Sequence, residues 1–455
     1  MNIQESKYRA CVQLAAIGDA LGWITEFVKT SSAIEKKFKT QTIDRFYDWE
    51  KLTGGRFNGY LDLIMSGSYS DDTQLALSVA RSIQSDGGLD NDYFAKVELP
   101  NWLCYARGGG RTVKTSASKI QRKSARWFSN FYYVKSAEGG LNYREAGANG
   151  AAMRIYPIVL ANLSNRELIK KYIFSNSIVT HGHPRAILGA MFFGLSLDTI
   201  FSFRTESFDS LKYIELIGNS IHSELNIDFI SEFPYSSWIS EWNRDYQPDF
   251  FSVYTETKEE LLYLMRLVYR GLKENIGDKE MLEKLGCFNP ETKSSGIGTV
   301  AAGIYFACRY YDNPQKSIIN SVNCLGSDTD SIAAFAGALL GALNGVSVIP
   351  TLWRDIQDLK YLEQISDYLL GISIGESPIL SKSYNGNPGK LLNSIEVDDF
   401  SEGDLVSFVP LGIGKVTSLR RVNTLTKGRY NLVLNVNFEI GQSCVFAKLF
   451  SLDFA

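Results

Sequence analysis

The sequence lacks the cysteine patterns of a disulfide-rich or zinc-binding protein. Its 455 residues include six scattered cysteines, with no C-x-x-C spacing: Cys11, Cys104, Cys287, Cys308, Cys324 and Cys444. Closely spaced cysteines mark structural zinc sites, whereas disulfide frameworks belong to oxidising compartments. The cysteine usage argues against both and favours a reducing compartment, so we expect a cytoplasmic protein.

The sequence also lacks an excess of positive charge, and we expect no secretion signal at its start. Lys and Arg total 47 against 50 Asp and Glu, so bulk electrostatics would hold neither nucleic acid nor an anionic membrane. The start, MNIQESKYRACVQL, has no basic stretch followed by an apolar core and a cleavage site. A local basic patch of Arg107, Arg111 and Lys114 leaves a nucleic acid partner possible but unsupported.

One apolar stretch, residues 332–349, is nearly long enough to span a bilayer. Asn344 and Gly345 interrupt it, and Ala and Gly dominate the rest. This composition favours a tightly packed central helix, so we predict no membrane partner.

Helical periodicity dominates the first 380 residues. After Thr73, for example, Leu75, Val79 and Ile83 recur at four-residue spacing and therefore share one helix face. We predict a mostly α fold with an α domain over residues 1–380. An aromatic-rich segment at about 201–290 is poorly periodic in its middle and is interpreted as an insertion in that domain.

The sequence pattern changes after residue 380. Gly, Pro, Asn and Ser cluster in SKSYNGNPGK, which predicts a linker at 381–396. From 397 to 455 the apolar period becomes two, in the runs DLVSFVPL, GKVTSLRRV, RYNLVLNVNFE and SCVFAKLF. These runs predict a small C-terminal β-barrel that resembles the tudor-like, SH3-type barrels. Such barrels dock onto other molecules, so we expect this domain to dock a protein partner.

Two loops combine paired carboxylates with hydroxyls directly before predicted helices: SDDT at 70–73 and GSDTDS at 326–331. Helix capping alone explains one such loop, because Ser and Asp satisfy free N–H groups at a helix start. If the two loops converge, however, their carboxylates would repel one another strongly without a cation. Oxygen donors of this kind suit Mg²⁺, Mn²⁺ or Ca²⁺, and their number is enough for a binuclear centre.

Three further motifs carry weaker signals: GDALG at 18–22, GANGAAMR at 147–154 and THGHPR at 180–185. In the first, Asp19 has a structural explanation as a brace for a turn. The glycine loop would let a phosphate approach backbone N–H groups, although such loops are common. The third contains His181 and His183, two of only three histidines in the chain, and a structural or a ligand-binding role is equally open.

In this order, the motifs GDALG, SDDT, GANGAAMR, THGHP, LGSDTDSIAAFAGALLGA and IPTLW resemble the ADP-ribosylglycohydrolase family, over about residues 10–353. That family includes dinitrogenase reductase-activating glycohydrolase and the ADP-ribosyl-arginine and ADP-ribosyl-serine hydrolases. The resemblance implies an all-α bundle with a binuclear magnesium site, manganese being an alternative, at the base of a cleft. The metal ligands that it implies are Ser70, Asp71, Asp72, Asp328, Asp330 and Ser331.

The resemblance also implies an activity, which is hydrolysis of an ADP-ribosyl glycosidic bond on a modified protein or another acceptor. Asp71, Asp72 and Asp328 would hold metal and activate water, and Glu26 would act as a general acid/base or position the substrate. The loop at 107–111 matches the family loosely and is kept as a candidate. The residues implied to bind the diphosphate and ribose are Gly147, Ala148, Asn149, Gly150 and His181.

Two alternatives to a simple ADP-ribosylglycohydrolase stay open. The protein could be an immunity or antitoxin protein that reverses or blocks ADP-ribosylation by a toxin, a role that an extra docking domain would suit. It could also be an inactive member that binds ADP-ribose, although the intact Asp71, Asp72, Asp328 and Asp330 argue against this.

Overall fold

The computed structural model describes residues 2–135, 140–378, 380, 390–391 and 400–451. Helices account for most of the described chain, so the predicted mostly α fold is confirmed. The α-helices are α1 Ile3–Trp23, α2 Ser31–Phe38, α3 Gly55–Asn58, α4 Asp71–Arg81, α5 Asn91–Tyr93, α6 Leu99–Trp102, α7 Arg111–Lys119, α8 Tyr156–Ala161, α9 Arg166–Ile178, α10 Pro184–Phe201, α11 Ser210–Ser223, α12 Tyr235–Asn243, α13 Phe250–Lys273, α14 Asp278–Lys284, α15 Gly296–Arg309, α16 Pro314–Val322, α17 Thr329–Asn344 and α18 Leu359–Ser373.

The strands form two short hairpins inside the helical body and one C-terminal sheet. Strand β1 pairs antiparallel with β2, and β3 pairs antiparallel with β4. The sheet has the order β5-β6-β7-β8-β9 and is antiparallel except for the short β5–β6 pair. The bounds are β1 Trp49–Thr53, β2 Tyr60–Ile64, β3 Tyr133–Val134, β4 Leu141–Asn142, β5 Lys390–Leu391, β6 Leu405–Phe408, β7 Gly412–Asn423, β8 Arg429–Phe438 and β9 Ser443–Ser451.

The core is organised by a close contact between α1 and α17. A Cβ added to Gly337 would lie 2.1 Å from the carbonyl oxygen of Leu14, and one added to Gly18 would lie 2.3 Å from that of Ala333. Contacts this short leave room for hydrogen only, so glycine is required where the two backbones meet. The apolar stretch at 332–349 is therefore mostly a buried central helix, as predicted.

Helix α10 packs beside this pair, against α9, α15 and α17. It is long and apolar enough to cross a membrane by length and composition, and 83% of its 18 residues are buried inside the protein. Burial on this scale is what a core helix of a helical bundle requires.

The aromatic segment at 201–290 is more regular than its sequence pattern indicates. It contains α11 to α14, and the 24-residue α13 packs on α10, α11 and α15. The indole N–H of Trp238 donates to the hydroxyl of Tyr143 at 2.9 Å, and that of Trp242 donates to the carbonyl of Gly182 at 2.8 Å. The segment thus supports the THGHP loop from within the core. Its status as an insertion stays a prediction.

The C-terminal sheet confirms the predicted strands but is curled and open. No pairing joins β9 to β5 among the described strands, so the sheet forms a half-barrel. A bulge between Val416 and Ser418 helps β7 to bend. Most of the predicted linker at 381–396 lies outside the described residues, and only 390–391 are described there, in β5.

The sheet is anchored to the helical body. The guanidinium of Arg81, at the end of α4, donates to the side-chain carbonyl of Gln442 at 2.6 Å. Rings of the sheet residues Phe408 and Phe446 lie 6.0 and 5.9 Å from that of Tyr105. The carboxylate of Asp358, just before α18, accepts from the backbone N–H of Ser443 at 2.9 Å. The sheet therefore has a fixed place beside α4.

The close contact between α1 and α17, here called the seam, predicts that a glycine-to-alanine substitution within it has a different effect from the same substitution elsewhere. Gly337→Ala should lower the free energy of unfolding by about 2 kcal/mol or more, because the new methyl group must separate two packed backbones. Gly218→Ala in α11 meets no atom within 4 Å and should leave stability unchanged or raise it by up to about 1 kcal/mol. Urea unfolding measures both, and equal effects would contradict the proposed seam.

Candidate active site

The first acidic motif begins α4 and is braced from α1 by Asp19. Ser70 is the N-cap, and its hydroxyl accepts from the backbone N–H of Asp72 at 3.3 Å. The carboxylate of Asp19 accepts from the backbone N–H groups of Ser70 and Thr73, each at 3.0 Å, and from the Thr73 hydroxyl at 2.6 Å. The structural reading of Asp19 is therefore confirmed. Burial raises the pKa of Asp19, although these hydrogen bonds oppose the shift.

Asp71 holds the glycine loop at 107–111 against this motif. The backbone N–H of Gly109 donates to Asp71 Oδ1 at 2.6 Å. Gly108 has a φ of +90°, and a Cβ there would lie only 2.4 Å from the same oxygen. Burial raises the pKa of Asp71 to about 6, and the Gly109 N–H and the charge of Lys114 limit the rise. The candidate loop at 107–111 thus lies at the site.

The second acidic motif begins α17 and meets the first. The hydroxyl of Ser331 donates to Asp72 Oδ2 at 2.7 Å, so the predicted convergence of the two motifs is confirmed. Burial raises the pKa of both Asp72 and Asp330 well above the ordinary value, and their negative neighbours raise it further. Asp328 directly precedes α17 and is one of these neighbours. The sequence therefore collects several carboxylates in one buried region.

Glu26 and Lys51 lie at the edge of this region. Glu26 is half-buried as a whole residue. Burial of its carboxyl group and the charge of Asp328 raise its pKa to about 8, while the charge of Lys51 opposes the rise. The ammonium of Lys51 lies 4.0 Å from the ring centroid of Phe27 and 5.3 Å from that of Trp23. Burial lowers the pKa of Lys51. Sequence reasoning missed this residue, because a single Lys in a short strand carries no signal.

The donor set of the two motifs fits a hard divalent cation. The donors are carboxylate and hydroxyl oxygens, and burial and mutual repulsion disfavour the charged forms of Asp72 and Asp330, a cost that a bound cation would offset. Within the described ranges, no three His, Cys, Asp or Glu side chains form a ready-made metal cage.

The glycine loop at 147–150 is held by Arg154 and by the segment before α15. The guanidinium of Arg154 donates to the carbonyl of Gly150 at 2.9 Å, and the N–H of Asn149 donates to the carbonyl of Ser294 at 2.9 Å. The 3₁₀ turn at 149–154 packs on both α4 and α17. The loop therefore lies beside the acidic motifs.

His181 lies against this loop with an unused nitrogen. A Cβ on Gly150 would lie 2.9 Å from Cε1 of His181, and the Thr180 hydroxyl lies 2.7 Å from Nδ1. His181 Nε2 and the side-chain nitrogen of Asn149 are both buried without a hydrogen-bond partner. Burial, helped by the charge of Arg154, lowers the pKa of His181 to about 3, so the imidazole is neutral. Buried groups without partners are costly, and a polar ligand would satisfy them.

His183 has a structural role. It is the N-cap of α10, and its Nδ1 accepts from the backbone N–H of Arg185 at 3.0 Å. Burial lowers its pKa to about 4, so it accepts as a neutral ring. The two histidines of the THGHP motif thus divide between a helix cap and a ligand candidate.

Comparison with known proteins places these motifs in a wider group. The model of the ADP-ribosylglycohydrolase family matches residues 1–378. ADP-ribosylarginine hydrolase Tri1 of Serratia proteamaculans is 25% identical over 77% of this chain and 75% of its own length. The ADP-ribosyl-(dinitrogen reductase) glycohydrolase of Rhodospirillum rubrum is 24% identical over 77% of this chain and 90% of its own length. ADP-ribosylhydrolase ARH3 of Bos taurus is 24% identical over 77% of this chain and 88% of its own length.

A solved structure of an ADP-ribosylglycohydrolase-related protein complex has a similar fold. The TM-score is 0.52 at 17% sequence identity, and the alignment covers 81% of this chain and 99% of the other. The family match ends at residue 378, before the curled sheet. The sheet therefore lies outside the part of the chain that the family model matches.

The buried carboxylates predict how stability depends on pH without metal. The folded-state pKa values of Glu26 and Asp71 are raised, to about 8 and about 6, so the folded protein holds protons that the unfolded chain releases. Asp19, Asp72 and Asp330 have raised pKa values as well, so the raised carboxyl groups outnumber His181 and His183, whose lowered pKa values act in the opposite direction up to about pH 6.5. With EDTA present, the free energy of unfolding should therefore fall overall as pH rises from about 4 to 8. Urea unfolding across this range measures it.

The same series of unfolding experiments includes two matched variants. Asp330→Asn removes one buried carboxyl group with a raised pKa and should flatten the decline, whereas Asp228→Asn, which removes an exposed carboxyl group, should leave it unchanged. A stability that rises with pH in the wild type, or an equal effect of both variants, would contradict the electrostatic account.

Proposed function

The chain belongs to the ADP-ribosylglycohydrolase family of glycosidic-bond hydrolases, and we propose that it uses magnesium to remove ADP-ribose from a modified protein. The observation that carries the proposal is the hydrogen bond from Ser331 to Asp72, which joins the two acidic motifs across 259 residues of sequence. The names of Tri1 and of the Rhodospirillum enzyme refer to ADP-ribosylarginine and to ADP-ribosylated dinitrogen reductase. These names support a protein substrate.

The ADP-ribose half of the substrate is assigned to the glycine loop and its neighbours. The small loop residues let a diphosphate approach the backbone, and Asn149 has a buried side-chain N–H group without a partner. The neutral ring of His181 offers Nε2 as a second polar contact. The residues assigned to this subsite are Gly147, Ala148, Asn149, Gly150 and His181.

The metal site is assigned to the starts of α4 and α17. When bound, one or two magnesium ions, or manganese, would supply positive charge that orients the ribose hydroxyls and activates a water. The role of the chain is to bury the carboxylates and to hold them at two braced helix ends. The residues assigned as ligands are Ser70, Asp71, Asp72, Asp328, Asp330 and Ser331.

Proton transfer is assigned to Glu26. A carboxyl group with a pKa of about 8 can both hold and release a proton near neutral pH, as a general acid/base must. It would donate that proton to the acceptor atom as the bond to ribose C1″ breaks. Lys51 favours the ionised form of Glu26 and so would limit how strongly the proton is held. Asp71, Asp72 and Asp328 would hold the attacking water, and one of these carboxylates would accept its proton as the oxygen bonds to C1″.

Loss of the proton-transfer group Glu26 or of the proposed metal ligand Asp72 should abolish release of ADP-ribose. Glu26→Gln and Asp72→Asn should each lower kcat about 100-fold or more, because the first variant cannot exchange a proton and the second loses a carboxylate from the proposed metal site. Free ADP-ribose released from proteins modified on arginine or on serine is the readout, with magnesium and with EDTA. Glu35→Gln, at an exposed position of α2, is the control. Release that persists in EDTA would contradict metal dependence.

Binding of ADP-ribose should depend on His181. His181→Ala removes the imidazole beside the glycine loop, so the Kd for ADP-ribose should rise about tenfold by calorimetry. His222→Ala, on an exposed face of α11, is the matched control and should leave the Kd unchanged. Unaltered binding by the His181 variant would remove this residue from the subsite. Tight binding by the wild type without release from any substrate would instead identify an inactive, binding member.

A further inference from the structure

A cleft of about 530 Å³ lies between the C-terminal sheet and the β1–β2 hairpin, beside the active site. Its inner end is lined by Trp23, Lys51, Gly108 and Lys114. Its outer end is lined by four residues of β8 and β9: Asn431, Val445, Ala447 and Leu449. The cleft thus has one wall from the family's helical body and one from the sheet that lies beyond the family match.

The inner end of the cleft reaches the acidic motifs. Gly108 touches Asp71, since a Cβ there would lie 2.4 Å from the carboxylate oxygen. Lys51 interacts with the charge of Glu26. A group that occupies the cleft therefore approaches the residues assigned to bond cleavage. This is the position that the acceptor of the ADP-ribose would take.

The outer wall is fixed in place. The turn between β7 and β8 binds the tip of the β1–β2 hairpin, because the N–H of Leu425 donates to the carbonyl of Gly59 at 2.8 Å. Arg429 donates to the side-chain carbonyl of Asn58 at 2.9 Å, and the Thr426 hydroxyl donates to the carbonyl of Phe57. The cleft is therefore a built feature of the folded chain.

The side chains that line the cleft favour a polypeptide as its ligand. In the β8–β9 register Asn431 faces Leu449, so amide and apolar side chains share this wall. Leu449 and, on β1, Leu52 leave 38% and 56% of their surfaces exposed. The guanidinium of Arg107, the arginine in the lining, is paired with Asp62 at 2.8 Å and is not available to neutralise a phosphate backbone.

Strand β9 adds a second feature that suits a polypeptide. It is the last strand of the sheet, and beyond Ser443 its outer edge pairs with no other strand among those described. Such an edge offers backbone hydrogen bonds to an extended segment, while the alternating side chains select it.

We propose that this cleft binds the polypeptide that carries the ADP-ribose, so that the C-terminal sheet selects the protein substrate. The inference rests on the proposed function, because it places the acceptor next to the bond that is cut. It assigns acceptor recognition to Asn431, Val445, Ala447 and Leu449 and leaves the ADP-ribose half to the helical body.

Substrates that share one linkage but differ in size test this proposal. Ala447→Trp fills the outer cleft from an exposed position, and Asn437→Trp places the same ring at an exposed position of the sheet outside the cleft lining. The substrates are an ADP-ribosylated protein and the free ADP-ribosylated amino acid with the same linkage. Ala447→Trp should raise KM for the protein about tenfold or more. The kcat for the protein and the hydrolysis of the amino acid should change far less than this KM.

Each result has a distinct meaning. Equal losses on both substrates, no loss on either, or the same loss in Asn437→Trp would overturn the assignment of the cleft. An effect confined to ADP-ribosylated DNA, run in parallel, would overturn the choice of a polypeptide. A wild type that cleaves neither the protein nor the amino acid would refute the proposed function itself.

Discussion

The contact between α1 and α17 is the constraint on which the active site depends. Gly18 and Gly22 in α1 and Gly337 and Gly341 in α17 leave out side chains along the seam, so the two backbones touch. The second acidic motif begins α17, and Asp19, between two of these glycines, binds the backbone at the start of α4. One seam therefore positions both helices that carry the carboxylates. The GDALG motif combines close packing with a brace and supplies no reacting group.

The carboxylates gathered in this way oppose folding. Burial and mutual repulsion raise the pKa values of Asp72 and Asp330 well above normal, and the hydroxyl of Ser331 and backbone N–H groups offset only part of this cost. Strongly perturbed groups of this kind cluster at functional sites, because substrate or metal binding uses the charge that folding disfavours. The buried unpaired nitrogens of Asn149 and His181 are a second cost of the same kind, in the adjacent subsite.

Much of this arrangement could be predicted from local patterns, and the rest depends on distant contacts. The period-two runs after residue 397 predicted β6 to β9 because alternation is a property of neighbouring residues. The convergence of SDDT and GSDTDS was conditional on the residues alone and was implied by the family resemblance. Lys51 could not be found, since its role arises only when the hairpin folds beside Glu26. The helix α12, in the poorly periodic middle of 201–290, was not predicted because buried aromatic contacts, such as that of Trp238 with Tyr143, stabilise it more than periodicity reveals.

The central claim is that two distant acidic motifs form one metal site. Crystals soaked in Mn²⁺ would test it most directly, because anomalous scattering locates the ion independently of activity. We predict one or two peaks between the starts of α4 and α17, within bonding distance of Asp72 and Asp330 oxygens, and their loss in Asp72→Asn crystals. Crystals without a peak there, from protein that still releases ADP-ribose in EDTA, would contradict the account.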